Sequence, residues 1–390
     1  MRKIISILGS TGSIGQTALK IVDKKKNYFK IYLLSANKNL RLISQQIEKY
    51  KPNIFVVHNP EIFQKVKRKY KSKKIIILNN FKKFHTKKKI DITVSSIPGI
   101  IGLYPTILMT KYSRKILIAN KESIICGWSL INSTAKKNNT KVIPIDSEHF
   151  SILKLLESHS LNEIDKIFIT ASGGPFLNYN FKRLAKIKPK NALQHPKWKM
   201  GKKITIDSST LMNKIFELIE AQKLFNLPKE KIDILIHPNS LIHAIVQFKN
   251  GLSKFLYHDT NMIVPIANAI LEKNFSIDEF YKNRKKFDKE KKLNLIFEQV
   301  NSKTFPIIKL KNKINEYPST GIIINAVNEV MVEMFLKRKV PFLAINKFIF
   351  AIFKDSNYKK YAIKVPNSLS RIMLIDEWAK KTTLKQLNKL

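Results

Sequence analysis

The first fifteen residues constrain the fold more than any other part of the chain. A short apolar run, Lys3–Leu8, leads directly into a turn with three glycines, Gly9, Gly12 and Gly15. A strand, a glycine-rich turn and a helix in this order are typical of the first unit of a parallel α/β sheet. Such glycines bring the free N–H groups of the helix start close to a bound pyrophosphate. The turn therefore predicts a dinucleotide site, with a plain tight turn as the alternative.

The next part of the chain alternates short strands with segments of helical spacing, such as Gly15–Asp23 and Leu40–Tyr50. Strand–helix alternation predicts βαβ units, and strands rich in Ile and Val suit a sheet covered on both faces. After the first, the predicted strands are Lys30–Ser35, Ile54–Val57, Lys74–Leu78, Ile92–Ser95, Lys115–Ile118 and Lys141–Ile145. The N-terminal part is therefore expected to form a Rossmann-like, doubly wound parallel sheet.

The pattern changes after about Ser151, where mixed strands with fewer crossovers predict an α+β domain. The strands predicted there are Lys166–Thr170, Ile204–Ile206, Ile232–Ile236, Ala244–Phe248 and Leu252–Tyr257, and the helices from there on are Ser209–Phe225, Ser319–Lys337, Leu343–Ile352 and Leu369–Lys380. The chain is predicted to be an α/β protein with a Rossmann-like cofactor domain at 1–146, a catalytic domain at 147–271, a polar linker at 272–298 and a small helical domain at 299–390.

The composition is unusual in its charge. Among 390 residues there are 72 Lys and Arg against 28 Asp and Glu, giving a formal net charge of +44, yet only eight of the basic residues are Arg. Arg is the preferred reader of phosphates and base edges, and the Lys are scattered without interleaved aromatic residues. We interpret the charge as a solvated surface that also attracts a phosphorylated substrate. A basic nucleic-acid-binding protein is the rival interpretation.

Two absences narrow the cellular setting. The chain has one cysteine, Cys126, which excludes an internal disulfide framework and argues against a zinc–thiolate site. No apolar run approaches the ~20 residues of a membrane helix, and the N-terminal apolar run is too short for a signal peptide. We expect a cytoplasmic protein with no membrane partner.

Carboxylates and cations recur at helical or strand spacing in the middle of the chain. Asp146 and Glu148 follow an apolar run and, on an extended strand, would point the same way. Asn213, Lys214 and Glu217 share one face of a predicted helix. If the two surfaces meet, three carboxylates can hold Mg²⁺ or Mn²⁺ beside a cationic anchor. A solvated acidic edge is the alternative for the first pair.

Hydroxyls near turns predict an anion site. Ser172 stands beside Gly173-Gly174, and Ser208-Ser209 follow Asp207. With Asn213 and Lys214 these groups are expected to hold a phosphate. The alternative for Asp207, Ser208 and Ser209 is N-capping of the following helix.

A polar loop, His195–Gly201, contains Trp198. An exposed Trp on a loop that ends in Gly predicts a lid that excludes water, whereas a Trp that anchors the loop to the core is the alternative.

The residues after the second strand bear on the choice of cofactor. The segment Ser35–Asn39 has no acidic residue for a ribose 2′-hydroxyl, and Lys38 suits a 2′-phosphate instead. NADP is therefore favoured over NAD. Asn120-Lys121-Glu122 follows another predicted strand, at the edge of a parallel sheet where ligands bind. A solvated turn is the alternative for this second segment.

Taken together, the motifs resemble the 1-deoxy-D-xylulose 5-phosphate reductoisomerase family. The resemblance is strong over about residues 1–270 and weaker through Asn325–Glu329. The motifs that carry it, in family order, are Gly9–Gly15, Ala119–Ser123, Ile145–His149, Ala171–Phe176, His195–Gly201, Met212–Lys214 and Leu235–Pro238. The chain departs from the family at Asn37, where Gly is usual, and at Ile100-Ile101, where small residues are usual. Asn tolerates the left-handed conformation, and the two Ile side chains would narrow space near the cofactor.

The resemblance implies a homodimeric enzyme that uses NADPH and a divalent metal, Mg²⁺ or Mn²⁺ with Co²⁺ as a further option. It implies conversion of 1-deoxy-D-xylulose 5-phosphate into 2-C-methyl-D-erythritol 4-phosphate in the non-mevalonate isoprenoid pathway, by retro-aldol and aldol steps followed by hydride transfer. The rival of the same class is another NADP-dependent reductase, which would need no metal. Apart from a small phosphorylated sugar and a second copy of the chain, no partner is expected.

The resemblance also implies roles for individual residues. Metal ligands are Asp146, Glu148 and Glu217. Catalytic residues are Lys121, Glu148, His195, Trp198 and Met200. Substrate contacts are Lys121, Ser147, Glu148, Ser172, His195, Ser208, Asn213, Lys214, Glu217 and His243. Cofactor contacts are Gly9, Ser10, Thr11, Gly12, Ser13, Ile14, Gly15, Ala36, Asn37, Lys38, Asn39, Asn120, Glu122 and Gly201.

Overall fold

The computed structural model describes residues 2–198, 200–273, 275–280 and 294–389. Of the predicted linker at 272–298, residues 274 and 281–293 lie outside the described residues. Contacts divide the chain into two compact units, of which only the described residues are considered below. The first comprises Met1–Ser123, Leu130–Phe150 and Met262–Lys286, and the second Ile124–Ser129, Ser151–Asn261 and Phe287–Leu390. The predicted domain boundaries stay predictions.

Strands and helices alternate in the first part of the chain, and helices dominate its end. The strands are β1 (Lys3–Leu8), β2 (Phe29–Ala36), β3 (Ile54–Val57), β4 (Ile76–Leu78), β5 (Ile90–Ser95), β6 (Ser113–Ile118), β7 (Lys141–Pro144), β8 (Ile164–Ala171), β9 (Ile232–Ile236), β10 (Ile242–Phe248), β11 (Ser253–Tyr257) and β12 (Glu298–Gln299). The helices are α1 (Ser13–Lys24), α2 (Leu40–Tyr50), α3 (Pro60–Lys69), α4 (Leu103–Tyr112), α5 (Lys121–Lys137), α6 (Ser147–Leu156), α7 (Phe181–Leu184), α8 (Pro189–Ala192), α9 (Lys202–Ser209), α10 (Met212–Phe225), α11 (Ile263–Leu271), α12 (Thr320–Leu336), α13 (Phe342–Ala351), α14 (Tyr358–Ala362) and α15 (Leu369–Leu387).

The first unit is built on a seven-stranded sheet in the order β4-β3-β2-β1-β5-β6-β7. All its pairings are parallel. The chain moves outward from β1 to β4 and then returns to the other side of β1 at β5. This is the doubly wound arrangement expected from the alternation of strands and helices, and ligands in such sheets bind where the strand order reverses.

Burial explains why these strands are so apolar. Ile5, Ile7 and Leu8 of β1 have no exposed surface, and neither do Leu33 and Leu34 of β2. Consecutive buried residues point to opposite faces of a strand, so both faces of the sheet are covered. The sequence pattern of continuous Ile and Val runs follows from this double coverage.

The second unit has a mixed sheet of five strands in the order β11-β10-β8-β9-β12. Only β8 and β9 pair in parallel, and the other three pairings are antiparallel. The crossover between β8 and β9 contains α9 and α10. Toward the end of the chain, α13 and α15 pack on α12. The predicted α+β character and the helical C-terminal part are both confirmed.

Three local predictions are wrong. Ile204–Ile206, predicted as a strand, lies inside α9. The predicted helix Ser209–Phe225 is divided between the end of α9 and α10, because Leu211 adopts a left-handed backbone with φ of 66° between them. Asp146 and Glu148 do not share a strand, because β7 ends at Pro144 and α6 begins at Ser147.

In the part of the chain that the structure describes, none of the helices combines the length and the apolar character that crossing a bilayer requires.

Candidate functional site

The glycine-rich turn between β1 and α1 is closed to side chains at two positions. Gly9 has φ of +78°, and a Cβ there would lie 2.8 Å from the carbonyl oxygen of Ser96. A Cβ on Gly15 would overlap the carbonyl oxygen of Gly9. The N-cap residue of α1 is Gly12, and no described side chain caps this end. The first-turn N–H groups of a 12-residue helix are thus available to a pyrophosphate.

Two predicted cofactor residues have structural roles in this region. Ser10 is fully buried, and its hydroxyl donates to Gln46 Oε1 at 2.6 Å, which ties the turn to α2. Asn39 caps α2 by accepting from the N–H of Leu42 at 3.0 Å. Asn37 and Lys38 are exposed beside it. Asn37 is not among the described residues with positive φ, so this turn does not need the left-handed conformation that Gly or Asn would tolerate.

Asn120 holds the loop that follows β5. Its Oδ1 caps α5 by accepting from the N–H of Ser123, and its Nδ2 donates to the carbonyl oxygens of Ile97 and Gly99 and to Glu122 Oε2. Ile101 in this loop is 69% exposed, whereas Ile100 is buried in the core. The contacts of Asn120 therefore shape the loop, and Ile101 is directed to solvent.

An ionised carboxylate lies between β7 and α6 in the first unit. Asp146 Oδ2 is 2.6 Å from Lys121 Nζ, and Asp146 Oδ1 is 3.4 Å from His149 Nδ1. Burial raises the pKa of Asp146. The charges and hydrogen bonds of Lys121 and His149 lower it by more than burial raises it, so the net pKa lies well below its usual value. The carboxylate therefore keeps its charge, as a metal ligand must.

Glu148 is the second residue of α6 and is buried. Its backbone N–H donates to Asp146 Oδ1 at 3.3 Å, so the two acids stay close although they do not share a strand. Ser147 Oγ donates to Glu148 Oε2 at 2.5 Å. The helix start, and not strand alternation, brings this pair together.

The second acidic group lies on α10 in the second unit, where the predicted helix face is confirmed. Glu217 is 1% exposed, and its Oε2 accepts from Lys214 Nζ at 2.6 Å. Asn213 Nδ2 donates to Glu217 Oε1. Residues three and four apart thus converge on one carboxylate, and the charge of Glu217 is buried beside an ammonium group.

Two backbone segments of the second unit pack against each other at the predicted anion site. Gly173 and Gly174 have φ of 78° and 62°, and the N–H of Gly174 donates to Ser172 Oγ at 3.0 Å. A Cβ on Gly174 would lie 3.1 Å from the carbonyl oxygen of Ser208. Ser208 lies near the end of α9, and the N-cap of α10 is Leu211, so the alternative of N-capping by Asp207, Ser208 and Ser209 is wrong.

His195 contacts Ser172 of the predicted anion site. Its Nε2 is 3.1 Å from Ser172 Oγ, and its Nδ1 accepts from the backbone N–H of Trp198 at 2.9 Å. Burial, together with the charge of Lys214, lowers the pKa of His195 to about 4. The imidazole is therefore neutral near pH 7, and with Nδ1 as acceptor its Nε2 carries the proton and donates to Ser172.

Trp198 is half-buried and not fully exposed as predicted. Its ring lies 6.0 Å from that of His243, in an edge-to-face arrangement. His243 stacks on His258 at 3.8 Å and is buried. Residue 199 lies outside the described residues. The loop is thus anchored through Trp198 in this structure, next to a histidine that the resemblance places in the substrate site.

Sequence reasoning missed Asp207, Lys203 and Asn328 as a group. Asp207 is 2% exposed and pairs with Lys203 at 2.9 Å and with Asn328 Nδ2 at 2.7 Å. The i,i+4 spacing of Lys203 and Asp207 could have indicated their pairing. No sequence signal could have joined them to Asn328, which lies 121 residues away.

Comparisons with known proteins match nearly the whole chain to one enzyme family. Sequence-family models described as 1-deoxy-D-xylulose 5-phosphate reductoisomerase match residues 5–127, those of its C-terminal domain match 142–225, and those of the DXP reductoisomerase C-terminal domain match 259–382. The reductoisomerase of Pelagibacter ubique (strain HTCC1062) is 43% identical over 96% of this chain and 97% of its own length. That of Wolbachia pipientis wMel is 36% identical, with coverages of 96% and 95%.

Solved structures give the same result. A DOX-P reductoisomerase in complex with NADPH, fosmidomycin and magnesium aligns with a TM-score of 0.90 at 29% identity, covering 99% of this chain and 98% of its own. The enzyme of Zymomonas mobilis in complex with NADPH aligns with a TM-score of 0.85 at 27% identity over 100% of both chains. On these grounds the chain belongs to the 1-deoxy-D-xylulose 5-phosphate reductoisomerase family.

Proposed function

We propose that this chain is an enzyme that binds NADPH and Mg²⁺ and converts 1-deoxy-D-xylulose 5-phosphate into 2-C-methyl-D-erythritol 4-phosphate. The observation that carries the proposal is 43% identity to a reductoisomerase over 96% of the chain. The site residues agree with it in chemical type, because the positions that the resemblance assigns carry the acidic, basic and hydroxyl groups that a metal ion and a phosphorylated substrate need.

The metal would be held by Asp146, Glu148 and Glu217, the three acids that the family resemblance assigns as its ligands. Oxygen ligands suit Mg²⁺, and Mn²⁺ or Co²⁺ would serve as substitutes. When bound, the metal polarises the carbonyl and hydroxyl oxygens of the substrate. Lys121, which pairs with Asp146 and lowers its pKa, would keep that carboxylate ionised for the metal, and Lys214 pairs with Glu217.

NADPH would lie at the turn from Gly9 to Gly15, and Lys38 would contact its 2′-phosphate. When bound, NADPH would supply the hydride for reduction of the aldehyde that the retro-aldol and aldol steps would give. The chain contributes the open N–H groups at the start of α1 and a backbone approach that no Cβ obstructs. The remaining predicted cofactor residues stay predictions.

The phosphate of the substrate would be bound within the second unit by Ser172, Ser208, Asn213 and Lys214. Neutral His195 donates a hydrogen bond without adding a charge. Closure of the loop with Trp198 and Met200 would exclude water from the reacting carbons. Orientation of the sugar by its phosphate supplies part of the rate enhancement.

The oligomeric state, the cellular location and the pathway belong to the same proposal. The enzyme forms a homodimer, acts in the cytoplasm in the non-mevalonate isoprenoid pathway and needs no nucleic acid. Size-exclusion chromatography with light scattering tests the dimer.

An NADPH-oxidation assay with the pentulose phosphate, with and without Mg²⁺ or Mn²⁺, tests the activity. We expect oxidation only with metal and substrate together, and a branched product by NMR. Oxidation without added metal after chelation, or an unbranched alcohol as product, would instead support another NADP-dependent reductase.

A further inference from the structure

Asp207 is a buried acid outside the proposed metal site. It lies in the last turn of α9 and is 2% exposed. Lys203 Nζ, one turn earlier, is 2.9 Å from its Oδ2, and Asn328 Nδ2, on α12, is 2.7 Å from its Oδ1. A buried charge is costly unless it is paired and hydrogen-bonded, and here both oxygens have a donor.

Asn328 is an unexpected residue for its place. It has no exposed surface, and it lies in the middle of a helix that is otherwise mostly apolar. Asn is a weak helix former, and a buried amide costs free energy unless its groups are paired. An apolar residue would suit α12 better, so the helix gains nothing locally from this side chain. What Asn328 provides is a fixed donor to α9.

The last turn of α9, which Asn328 fixes through Asp207, also contains Ser208. Ser208 is one of the four residues proposed to bind the substrate phosphate, here called the phosphate grip: Ser172, Ser208, Asn213 and Lys214. Ser208 directly follows Asp207, and its carbonyl oxygen lies against Gly174 so closely that a Cβ there would be 3.1 Å away. Gly174 in turn donates to Ser172 Oγ at 3.0 Å. Through these backbone contacts, the position of Asp207 sets the spacing of Ser208 and Ser172.

We propose that Asp207 and Asn328 are positioning residues for recognition of the substrate phosphate, acting through Ser208 and Ser172. The inference rests on the proposed function, because it needs those serines to bind the phosphate. Neither Asp207 nor Asn328 touches the substrate. Their effect is to hold the end of α9 against the Gly173-Gly174 turn.

The test compares 1-deoxy-D-xylulose 5-phosphate with 1-deoxy-D-xylulose, which lacks the phosphate. For Asn328→Ala, kcat/KM for the phosphorylated substrate is expected to fall by about 10- to 100-fold, as for small misplacements of a binding group. The value for the unphosphorylated sugar should stay within about twofold, because that reaction makes no use of the phosphate contacts. The inhibition constant of inorganic phosphate should rise in parallel.

The control is Asn346→Ala, which removes another buried helix asparagine of the same unit, on α13. It should leave the ratio of the two kcat/KM values unchanged, as should any variant that only destabilises the fold. If Asn328→Ala does not fold by circular dichroism, Asp207→Asn, which keeps the size of the side chain, takes its place in the comparison.

The outcomes separate the inference from the function it rests on. If the wild type uses both sugars equally well, the proposed phosphate grip fails and the inference falls with it. If the wild type prefers the phosphorylated sugar but the folded variant keeps the full preference, the grip stands and the positioning role is overturned. A loss of preference in the variant with NADPH affinity unchanged supports the inference.

Discussion

At the scale of single residues, the acids of the proposed site are stabilised by cations close to them in sequence or in space. Asp146 pairs with Lys121, and Glu217 pairs with Lys214. Burial of an unpaired carboxylate would be strongly unfavourable. The helix spacing of Asn213, Lys214 and Glu217 could be predicted because i,i+3 and i,i+4 neighbours are fixed by the helix itself. The pairing of Asp146 with Lys121 could not, since it joins residues 25 apart.

Glu217→Gln tests the metal site. The amide keeps the size of the side chain but is a weaker ligand for a hard cation, so Mg²⁺-dependent turnover is expected to fall by about 100-fold, which corresponds to ~2.7 kcal/mol. NADPH affinity, measured by fluorescence titration, should be nearly unchanged. Glu329→Gln is the control, because Glu329 also pairs with a lysine, Lys380, at 2.7 Å in the second unit. Equal turnover of both variants would remove Glu217 from the metal site.

Lys38→Ala tests cofactor selection. Lys38 is exposed two residues after the end of β2, and a 2′-phosphate beside it would be attracted by its charge. The variant is expected to lose affinity for NADPH by about 10-fold, or ~1.4 kcal/mol, with little change for NADH. Lys30→Ala, which removes an exposed lysine inside β2, serves as the control. An equal loss for both cofactors would contradict the role of Lys38.

The pKa of His195 predicts a pH dependence of stability. Burial and Lys214 lower the pKa of the folded state to about 4, below about 6.5 for an unfolded histidine. The unfolded chain therefore binds more protons between these values, and the free energy of unfolding falls as pH drops through that window. Urea unfolding at pH 7 and pH 5 should show a smaller loss in His195→Gln than in the wild type. Identical losses would mean that His195 titrates normally.

At the scale of elements, the sequence predicted best those strands and helices whose buried apolar residues recur at regular spacing. β1, β3 and α2 have the predicted bounds because continuous apolar runs and helical spacing are strong local signals. Ile204–Ile206 was predicted wrongly because three residues with two β-branched isoleucines carry only a weak preference. Their place in a helix is decided by packing of α9 against α10 and α12. Such tertiary contacts are not readable from a short run.

Gly15→Ala tests the turn between β1 and α1. The added Cβ would overlap the carbonyl oxygen of Gly9, so the turn must open and the start of α1 must shift away from the cofactor. We expect NADPH affinity to fall by at least about 10-fold, with a lower midpoint of thermal unfolding. Lys20→Ala, an exposed change on the same helix, should preserve both quantities. Unchanged NADPH binding in Gly15→Ala would argue for a plain tight turn.

At the scale of the whole molecule, charge is the dominant property. A net charge of +44 gives a positive field that attracts anions, and salt screens this field within about 10 Å at 0.1 M. The field acts on the phosphorylated substrate during encounter, before any contact with Ser172 or Lys214. Substrate capture should therefore depend on ionic strength in a way that chemistry after binding does not.

We expect kcat/KM for 1-deoxy-D-xylulose 5-phosphate to fall several-fold between about 0.02 M and about 0.5 M salt, with kcat almost constant. The unphosphorylated sugar should show no such change, because it carries no charge for the field to attract. The same salt series with a DNA duplex in a filter-binding assay separates this account from the rival interpretation. Tight DNA binding at physiological salt, with the steep salt dependence of counterion release, would show that the lysines serve a nucleic-acid partner.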